Sequence, residues 1–271
     1  MTDRRLTPAN GRVAAKRLQG SVDADTYVAG WPMMITASVA DLCVAPDGPR
    51  DRQLLRGAQV TVFEDRAGWS FVQGEDGYVG YVRVDQIGGT LAHTHYVGTF
   101  ATHGYAQESF KSPDITSLPF GAAVTVFDER RKFFETDAGF VPKSHLRPLD
   151  RPFSDPATVA QMQFGVPYLW GGNSTRGIDC SGLIAAALKA CGQSCPADSD
   201  MQHSALGADV TGDYQRGDLL FWQGHVGMMV DADTMIHANA HHMACVYEPI
   251  TKAILRIKAQ GEGGVLAHKR L

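Results

Sequence analysis

One cysteine and two histidines are the residues whose types and spacing could perform nucleophilic chemistry. Cys180 follows a polar, glycine-containing loop, and His225 and His237 lie in two apolar segments separated by a short turn at 231–234. A thiol that attacks an amide needs a base beside it and a third group that orients the base. Antiparallel pairing across the turn would bring the imidazoles together facing Cys180. His225 would then be the base, and His237 would fix its tautomer.

The residues around and after Cys180 predict a helix that would position this cysteine. Asp179 stands where an N-cap belongs, and Gly192 predicts the end of a helix. Cys180 would lie in the first turn, where unsatisfied backbone N–H groups and the helix dipole favour a thiolate. Between these limits the apolar residues recur at helical spacing: Leu183, Ile184, Ala187, Leu188 and Cys191.

Two other roles for these side chains are open at this point. A cysteine at a helix start is usually a buried small hydrophobe, and a histidine in a strand is usually a satisfied core residue. Zinc is the second alternative, although no C-x-x-C pair is present. The potential ligands are Cys180, His225, His237, His241, His242 and Cys245. Four thiols are interpreted as structural: Cys43, Cys191, Cys195 and Cys245.

The last hundred or so residues predict an α+β layout. A linker at 149–156 ends in a helix start, with Asp155 or Ser154 as the cap and Pro156 in the first position. The helix of Cys180 and a weaker helix at 201–206 follow. Apolar, strand-like segments complete this part of the chain at 217–222, 225–230, 234–238 and 244–247.

The upstream part predicts two small β-barrels. Gly57-Ala-Gln-Val-Thr-Val-Phe-Glu64 returns 64 residues later as Gly121-Ala-Ala-Val-Thr-Val-Phe-Asp128, and similar aromatic strands follow each copy. Chance similarity between two strands of one sandwich is the alternative. The predicted domains are an N-terminal arm or short helix at 1–35, barrels at 36–89 and 90–150, and a catalytic domain at 151–271.

Composition narrows the function classes. The chain has 271 residues, 44% of them hydrophobic and 20% charged, and a net charge of −4 without a basic stripe. We therefore expect no nucleic-acid partner. Neither a secretory signal nor a bilayer-spanning stretch is visible, so no membrane partner is expected. Five cysteines without a C-x-x-C pair favour the reducing cytoplasm. No cofactor is predicted, and the sequence does not give the oligomeric state.

An ordered set of motifs carries a resemblance to a known family. Asp179-Cys-Ser-Gly182, Gly217-Asp-Leu-Leu-Phe221, Gly224-His-Val-Gly227 and Ile236-His237 resemble, in order and spacing, the NlpC/P60 family of cysteine peptidases. The resemblance implies a papain-like α+β catalytic domain preceded by two all-β bacterial SH3 (SH3b) barrels. It also implies a Cys–His–His triad on the three residues already singled out.

The resemblance further implies a substrate and a binding site. The substrate would be the γ-D-glutamyl to diamino acid bond of murein stem peptides with a free N-terminal L-Ala, as in murein peptide recycling. The Tyr168 hydroxyl and the Cys180 backbone N–H would hold the oxyanion. Residues implied to contact substrate are Tyr78, Trp170, Asp179, Ser181, Asp198 and Ser199.

Several of these roles have alternatives. A buried ammonium needs an anion, for which Asp198 is suited and Asp51 is a weaker candidate. Asp198 and Ser199 could instead cap a helix, and Tyr78 could belong to the barrel core. Ala197 stands where many family members carry Arg, which puts a carboxylate contact there in doubt. The polar stretch 237–245 is either a solvated strand end or shapes the leaving-group side through Asn239, His241 and His242.

Two other functions are alternatives to the peptidase hypothesis. The barrels could form a wall-binding module with a vestigial catalytic domain, or the same fold could act as an amidase or acyltransferase.

Overall fold

A computed structural model describes residues 3–271. The chain divides into two compact units, one ending at Leu149 and the other spanning Asp150–Leu271. Among residues 3–271, no helix is both long enough and apolar enough to span a bilayer.

The first half of the first unit is a β structure built on one antiparallel sheet. The sheet order is β5-β4-β8-β7-β6-β3-β9, and β1 and β2 form a separate parallel pair. The strands are β1 (Val13–Ala15), β2 (Thr26–Val28), β3 (Trp31–Ile35), β4 (Val39–Cys43), β5 (Arg50–Leu55), β6 (Gln59–Arg66), β7 (Trp69–Gly74), β8 (Val79–Arg83) and β9 (Ile87–Gly88).

The N-terminal segment differs from the predicted arm. Its described residues contain the β1–β2 pair and a 3₁₀ turn at Lys16–Leu18. Strand β3 already belongs to the sheet, because it pairs with both β6 and β9. Met34 and Ile35 are buried in that position. The sheet therefore begins before residue 36.

The second half of this unit repeats the pairing pattern of the first. β10 pairs with β13 and β17 as β3 pairs with β6 and β9, and the β11–β12 pair corresponds to the β4–β5 pair. Gly57 and Gly121, at matching positions, both have positive φ (87° and 82°), which glycine adopts without steric cost. The strands are β10 (His95–Val97), β11 (Ala101–Tyr105), β12 (Asp114–Pro119), β13 (Ala123–Val124), β14 (Val126–Glu129), β15 (Phe133–Thr136), β16 (Gly139–Pro142) and β17 (Leu146–Pro148).

The second unit combines helices with an antiparallel sheet of order β20-β25-β21-β22-β23-β24. A two-stranded hairpin, β18–β19, immediately precedes the helix of Cys180. The elements are α1 (Pro156–Gln161), β18 (Asn173–Ser174), β19 (Gly177–Ile178), α2 (Cys180–Ala190), α3 (Ser199–Ala205), β20 (Ala208–Asp209), β21 (Leu219–Trp222), β22 (His225–Met229), β23 (Thr234–Asn239), β24 (Ala244–Pro249), α4 (Ile250–Ala259) and β25 (Ala267–Arg270).

Helix α2 forms as its sequence predicts. The Asp179 side chain accepts a hydrogen bond from Gly182 N–H, which satisfies one of the unpaired donors of the first turn. Leu183, Ile184 and Leu188 are fully buried, and the helix packs against β22 and β23. This packing fixes the N-terminus of α2 beside the start of β22.

Helix α4 and strand β25 were not predicted, although α4 carries a visible signal. Ile250, Ala253 and Ile257 are buried at helical spacing and join a cluster with Leu220 and Met235 of the sheet. Because α4 follows β24 directly, its polar residues lie close to those of that strand.

Candidate active site

Cys180 is the first residue of α2, and its side chain is 9% exposed. Its Sγ lies 4.0 Å from the carbonyl oxygen of Gly224. The backbone N–H of Val226 is among the donors that favour its thiolate. The sulfur therefore rests against the backbone on both sides of His225.

The two predicted histidines are hydrogen-bonded to each other. His225 Nε2 and His237 Nδ1 are 2.9 Å apart, and the ring centroids are 5.2 Å apart. The antiparallel register of β22 and β23, in which Met228 pairs with Ile236, brings the rings together. Among the described residues, His225 Nδ1 makes no hydrogen bond. That nitrogen is the one left to exchange a proton with a thiol.

The resting charge state differs from the thiolate that the helix start predicts. Burial, with a contribution from the Asp179 charge, raises the pKa of the Cys180 thiol to about 12. Burial and the neighbouring His237 lower the pKa of His225 to about 3. Both shifts favour neutral forms, so we expect a neutral thiol–imidazole pair before substrate binds.

Two residues missed by the sequence analysis complete a chain behind His237. Glu248 Oε2 lies 3.0 Å from His237 Nε2. Arg256 of α4 donates two hydrogen bonds to the same carboxylate, at 3.0 and 2.7 Å. A charged residue within the apolar run of β24 was the available signal, because a buried carboxylate needs a partner.

The structure brings together a different set of potential zinc ligands from the cysteines and histidines that the sequence suggested. Potential ligand atoms of His237, His242 and Glu248 lie within 4.8 Å of one another. Arg256 already neutralises the Glu248 carboxylate, and its guanidinium would repel a bound cation. The arrangement therefore favours a hydrogen-bonded network over a metal site.

Tyr168 lies close enough to Cys180 for a charge on the sulfur to affect the pKa of its hydroxyl. Burial raises the pKa of the Tyr168 hydroxyl, and the charges of Cys180 and Asp179 add to the rise. The Tyr168 backbone N–H donates to Met243 O at 3.0 Å, which anchors this segment beside β24. A hydroxyl that stays protonated beside the sulfur can donate to an oxyanion.

Asp179 and Ser181 flank the cysteine and bond to each other. Asp179 Oδ1 accepts from the Ser181 hydroxyl at 3.0 Å, and Oδ2 accepts from Gly171 N–H at 2.9 Å. Both carboxylate oxygens of Asp179 thus bond to the protein. Trp170, in the same loop, is 70% exposed.

Helix α3 is tied to the first turn of α2. Gln202 is fully buried, and its Nε2 donates to Ser181 O at 2.9 Å and to Pro196 O at 3.0 Å. Asp198 occupies the N-cap position of α3 without a side-chain cap hydrogen bond, and Ser199 begins the helix. Gln202 was missed by the sequence analysis, because no local pattern marks its long-range contact.

The predicted residues of the first unit have partners of their own. Tyr78 is 2% exposed, and the Arg52 guanidinium carbon lies 5.4 Å from its ring centroid. Asp51 pairs with Arg4 at 2.7 Å, which weakens it further as an ammonium ligand.

The segment after β23 is partly ordered by hydrogen bonds. Asn239 is buried, and its Oδ1 accepts from His242 N–H at 2.9 Å. His241 Nδ1 lies 3.0 Å from Gln260 Nε2. His241 and His242 are exposed, and these hydrogen bonds hold them in the turn between β23 and β24.

Two domains of the chain match known families. Residues 165–257 match the model of the NlpC/P60 family, and residues 42–87 match the model of the bacterial dipeptidyl-peptidase SH3 domain. The chain is similar to gamma-D-glutamyl-L-lysine dipeptidyl-peptidase of Bacillus subtilis (strain 168), with 28% identity over 230 residues that cover 73% of this chain and 75% of the relative. It is also similar to dipeptidyl-peptidase 6 of Lysinibacillus sphaericus, with 24% identity over 76% of this chain and 87% of that protein.

The fold has a solved counterpart. The crystal structure of an NlpC/P60 family protein from Bacillus cereus ATCC 10987 matches with a TM-score of 0.73 and 21% identity, over 89% of this chain and 99% of that chain. At this identity the likeness concerns the fold alone. The domain matches and the dipeptidyl-peptidase relatives identify the chain as a peptidase.

Proposed function

We propose that this peptidase, which carries an NlpC/P60 domain and a bacterial SH3 domain, uses Cys180 to cleave the γ-D-glutamyl to diamino acid bond of murein-derived peptides. The observation that carries the proposal is the sulfur of Cys180 resting against the backbone around His225, whose ring is bonded to His237. The bond type follows the name of the Bacillus subtilis relative.

The geometry supports acyl-enzyme chemistry. As Cys180 Sγ attacks the γ-carbonyl carbon, His225 Nδ1 takes the thiol proton, and His237 accepts from His225 Nε2–H. The imidazolium then gives its proton to the leaving amine of the diamino acid. Water hydrolyses the thioester with His225 as base, which releases the dipeptide L-Ala-D-Glu with a free γ-carboxyl group and regenerates the thiol.

Two donors would stabilise the oxyanion. Cys180 is the first residue of α2, so its N–H has no acceptor within the helix. The Tyr168 hydroxyl is the second donor, because its raised pKa keeps it protonated.

The start of α3 and the loop before α2 would bind the L-Ala-D-Glu part of the substrate, which lies on the acyl side of the cleaved bond. Asp198 and Ser199 are held near the first turn of α2 through Gln202, and we assign the N-terminal ammonium to Asp198. Asp179 and Ser181 would mainly shape this side, since they already bond to each other. Trp170 would provide an apolar wall.

The upstream barrels would act as specificity elements. We propose two SH3b domains, the first starting with β3 at residue 31 and ending by residue 89 and the second at 90–150, on the basis of the repeated strand pairing, followed by the catalytic domain at 151–271. We also propose a cytoplasmic location, because all five cysteines are thiols, as a reducing compartment maintains them. Cell fractionation tests that location.

The deciding experiment uses L-Ala-γ-D-Glu-L-Lys, its diaminopimelate analogue and their N-acetylated forms. We expect the free peptides to be cleaved to L-Ala-D-Glu and the diamino acid, and the acetylated forms to be cleaved much more slowly. Cys180→Ala should be inactive, while Cys191→Ala, which changes a thiol outside the site, should retain activity. Cleavage by Cys180→Ala, or no cleavage by the native protein, contradicts the proposal.

A further inference from the structure

We propose that Glu248 is a positioning residue that sets the tautomers of both histidines and so keeps a lone pair on His225 Nδ1 for the thiol proton. The inference rests on the proposed function. It adds a fourth side chain to the Cys180, His225 and His237 set.

The argument starts from the protonation of Glu248. Burial alone would raise the pKa of this carboxyl, but hydrogen bonds from His237 and Arg256 and the Arg256 charge outweigh burial and hold the pKa below its ordinary value. An ionised carboxylate can only accept hydrogen bonds. The Glu248 Oε2 to His237 Nε2 distance of 3.0 Å therefore requires the hydrogen to be on His237 Nε2.

The rest of the chain follows from one hydrogen per neutral ring. Burial lowers the pKa of His237 despite the opposing Glu248 charge, so this ring is neutral and its Nδ1 carries a lone pair. His225 Nε2, 2.9 Å away, must then donate its hydrogen to that lone pair. The remaining nitrogen, His225 Nδ1, is left without a hydrogen and can act as the base.

A competing donor has to be weighed. Asn239 Nδ2 lies 3.1 Å from His237 Nε2, and the Asn239 amide is oriented by His242 N–H donating to Oδ1. If the amide donated to Nε2, a ring lone pair would face the Glu248 carboxylate. The charge decides between these arrangements, because hydrogen bonds to ionised acceptors are roughly twice as strong as neutral ones.

Arg256 determines how the key substitution should behave. In Glu248→Gln the guanidinium would hold the amide oxygen, which turns the amide NH₂ toward His237 Nε2. His237 would then carry its hydrogen on Nδ1 and His225 would be protonated on Nδ1, which removes the base. Arg256→Lys is the matched control, because it removes the two-bond contact of the guanidinium but keeps a positive charge beside the carboxylate, which therefore stays an ionised acceptor.

The test reads ring tautomers directly. Long-range ¹H–¹⁵N NMR of the 271-residue chain should show Nε2–H on His225 and His237 in the native protein and in Arg256→Lys. It should show a shift toward Nδ1–H in Glu248→Gln. This readout needs no substrate, so it stands even if the murein peptide proves not to be cleaved.

The kinetic readout separates positioning from structural support. We expect Glu248→Gln to lower kcat by about 10²–10⁴-fold, with KM changed by less than about twofold. Arg256→Lys should lose less than about tenfold in kcat. Asp209→Asn, which removes an exposed charge of the same unit, should match the native enzyme.

Three results would overturn the proposal. One is a folded Glu248→Gln protein with native tautomers, whatever its activity. A second is switched tautomers without loss of kcat. The third is an Nδ1–H tautomer of His225 in the native protein, which needs no variant and decides the question even if Glu248→Gln does not fold.

Discussion

The charge of Asp179 gives a prediction about the reactivity of the neighbouring thiol. Replacing Asp179 with Asn removes a negative charge beside Cys180, and that charge contributes to the raised pKa of the thiol. We expect Asp179→Asn to lower the pKa and to make Cys180 react faster with iodoacetamide near neutral pH.

The size of the effect follows from the electrostatics. If about 8 Å is taken as a typical separation of charges on adjacent side chains and about 20 as the effective dielectric constant, two like charges repel by about 2 kcal/mol. Partial solvation reduces this to about one pKa unit, or about tenfold more thiolate at a fixed pH. Each thiolate is then less nucleophilic by about threefold, so the net increase in alkylation rate is about threefold.

A second substitution separates charge from local opening. Asp179→Asn keeps an oxygen for Gly182 N–H, although its NH₂ would face Gly171 N–H. Asp179→Ala loses the cap entirely, which should cost about 1 kcal/mol or more and lower Tm by a few degrees. Both variants should gain reactivity if the charge is responsible.

The assay is the rate of Cys180 carboxamidomethylation, followed by peptide mass spectrometry between about pH 6 and pH 9. Asp209→Asn, an exposed charge change in the same unit, should react at the native rate. Native-rate alkylation of Asp179→Asn would refute the electrostatic account. Faster alkylation of Asp179→Ala alone would point to opening of the helix start.

Three further predictions concern the oxyanion, the loop packing and acid stability. Tyr168→Phe should lower kcat by about 10²–10³-fold with little change in KM, as steady-state kinetics on the peptide would show. Gly182→Ala would press a Cβ against the backbone oxygen of Gly172, and denaturant unfolding should show that the free energy of unfolding falls by about 1–3 kcal/mol. Buried Asp218 has its pKa lowered to about 2, because hydrogen bonds from Arg270 and His268 outweigh burial. At pH values above its ordinary pKa, the Asp218 carboxylate therefore adds about 2 kcal/mol to the free energy of unfolding, and this contribution is lost as the pH falls toward about 2. Asp218→Asn should remove this pH dependence in acid unfolding scans.

The parts of the site predicted from sequence are those that depend on local signals. The apolar periodicity and the Asp179 cap defined α2, and the short turn between β22 and β23 implied the meeting of His225 and His237. These contacts need only one helix start or one hairpin register. A single sequence is sufficient to predict such features.

The parts that were missed depend on contacts between distant segments. Arg256 reaches Glu248 only because α4 packs against the sheet in one particular rotation. Strand β3 joins its sheet through partners at 59–62 and 87–88, which no local pattern reveals. The thiol pKa was misjudged for a related reason: burial of Cys180 outweighs the helix start, and burial depends on the whole domain.

The distribution of charge also explains why a neutral resting pair is compatible with catalysis. Only interactions that strengthen in the transition state accelerate the chemical step. A neutral Cys180 and a neutral His225 avoid holding two buried charges in the resting enzyme, while the fixed Glu248 carboxylate is separated from His225 only by the His237 ring. When the thiol proton moves to His225, the carboxylate stabilises the positive charge that develops on the imidazole. The Glu248–Arg256 pair is preorganised by its own hydrogen bonds, so it needs no rearrangement at that moment.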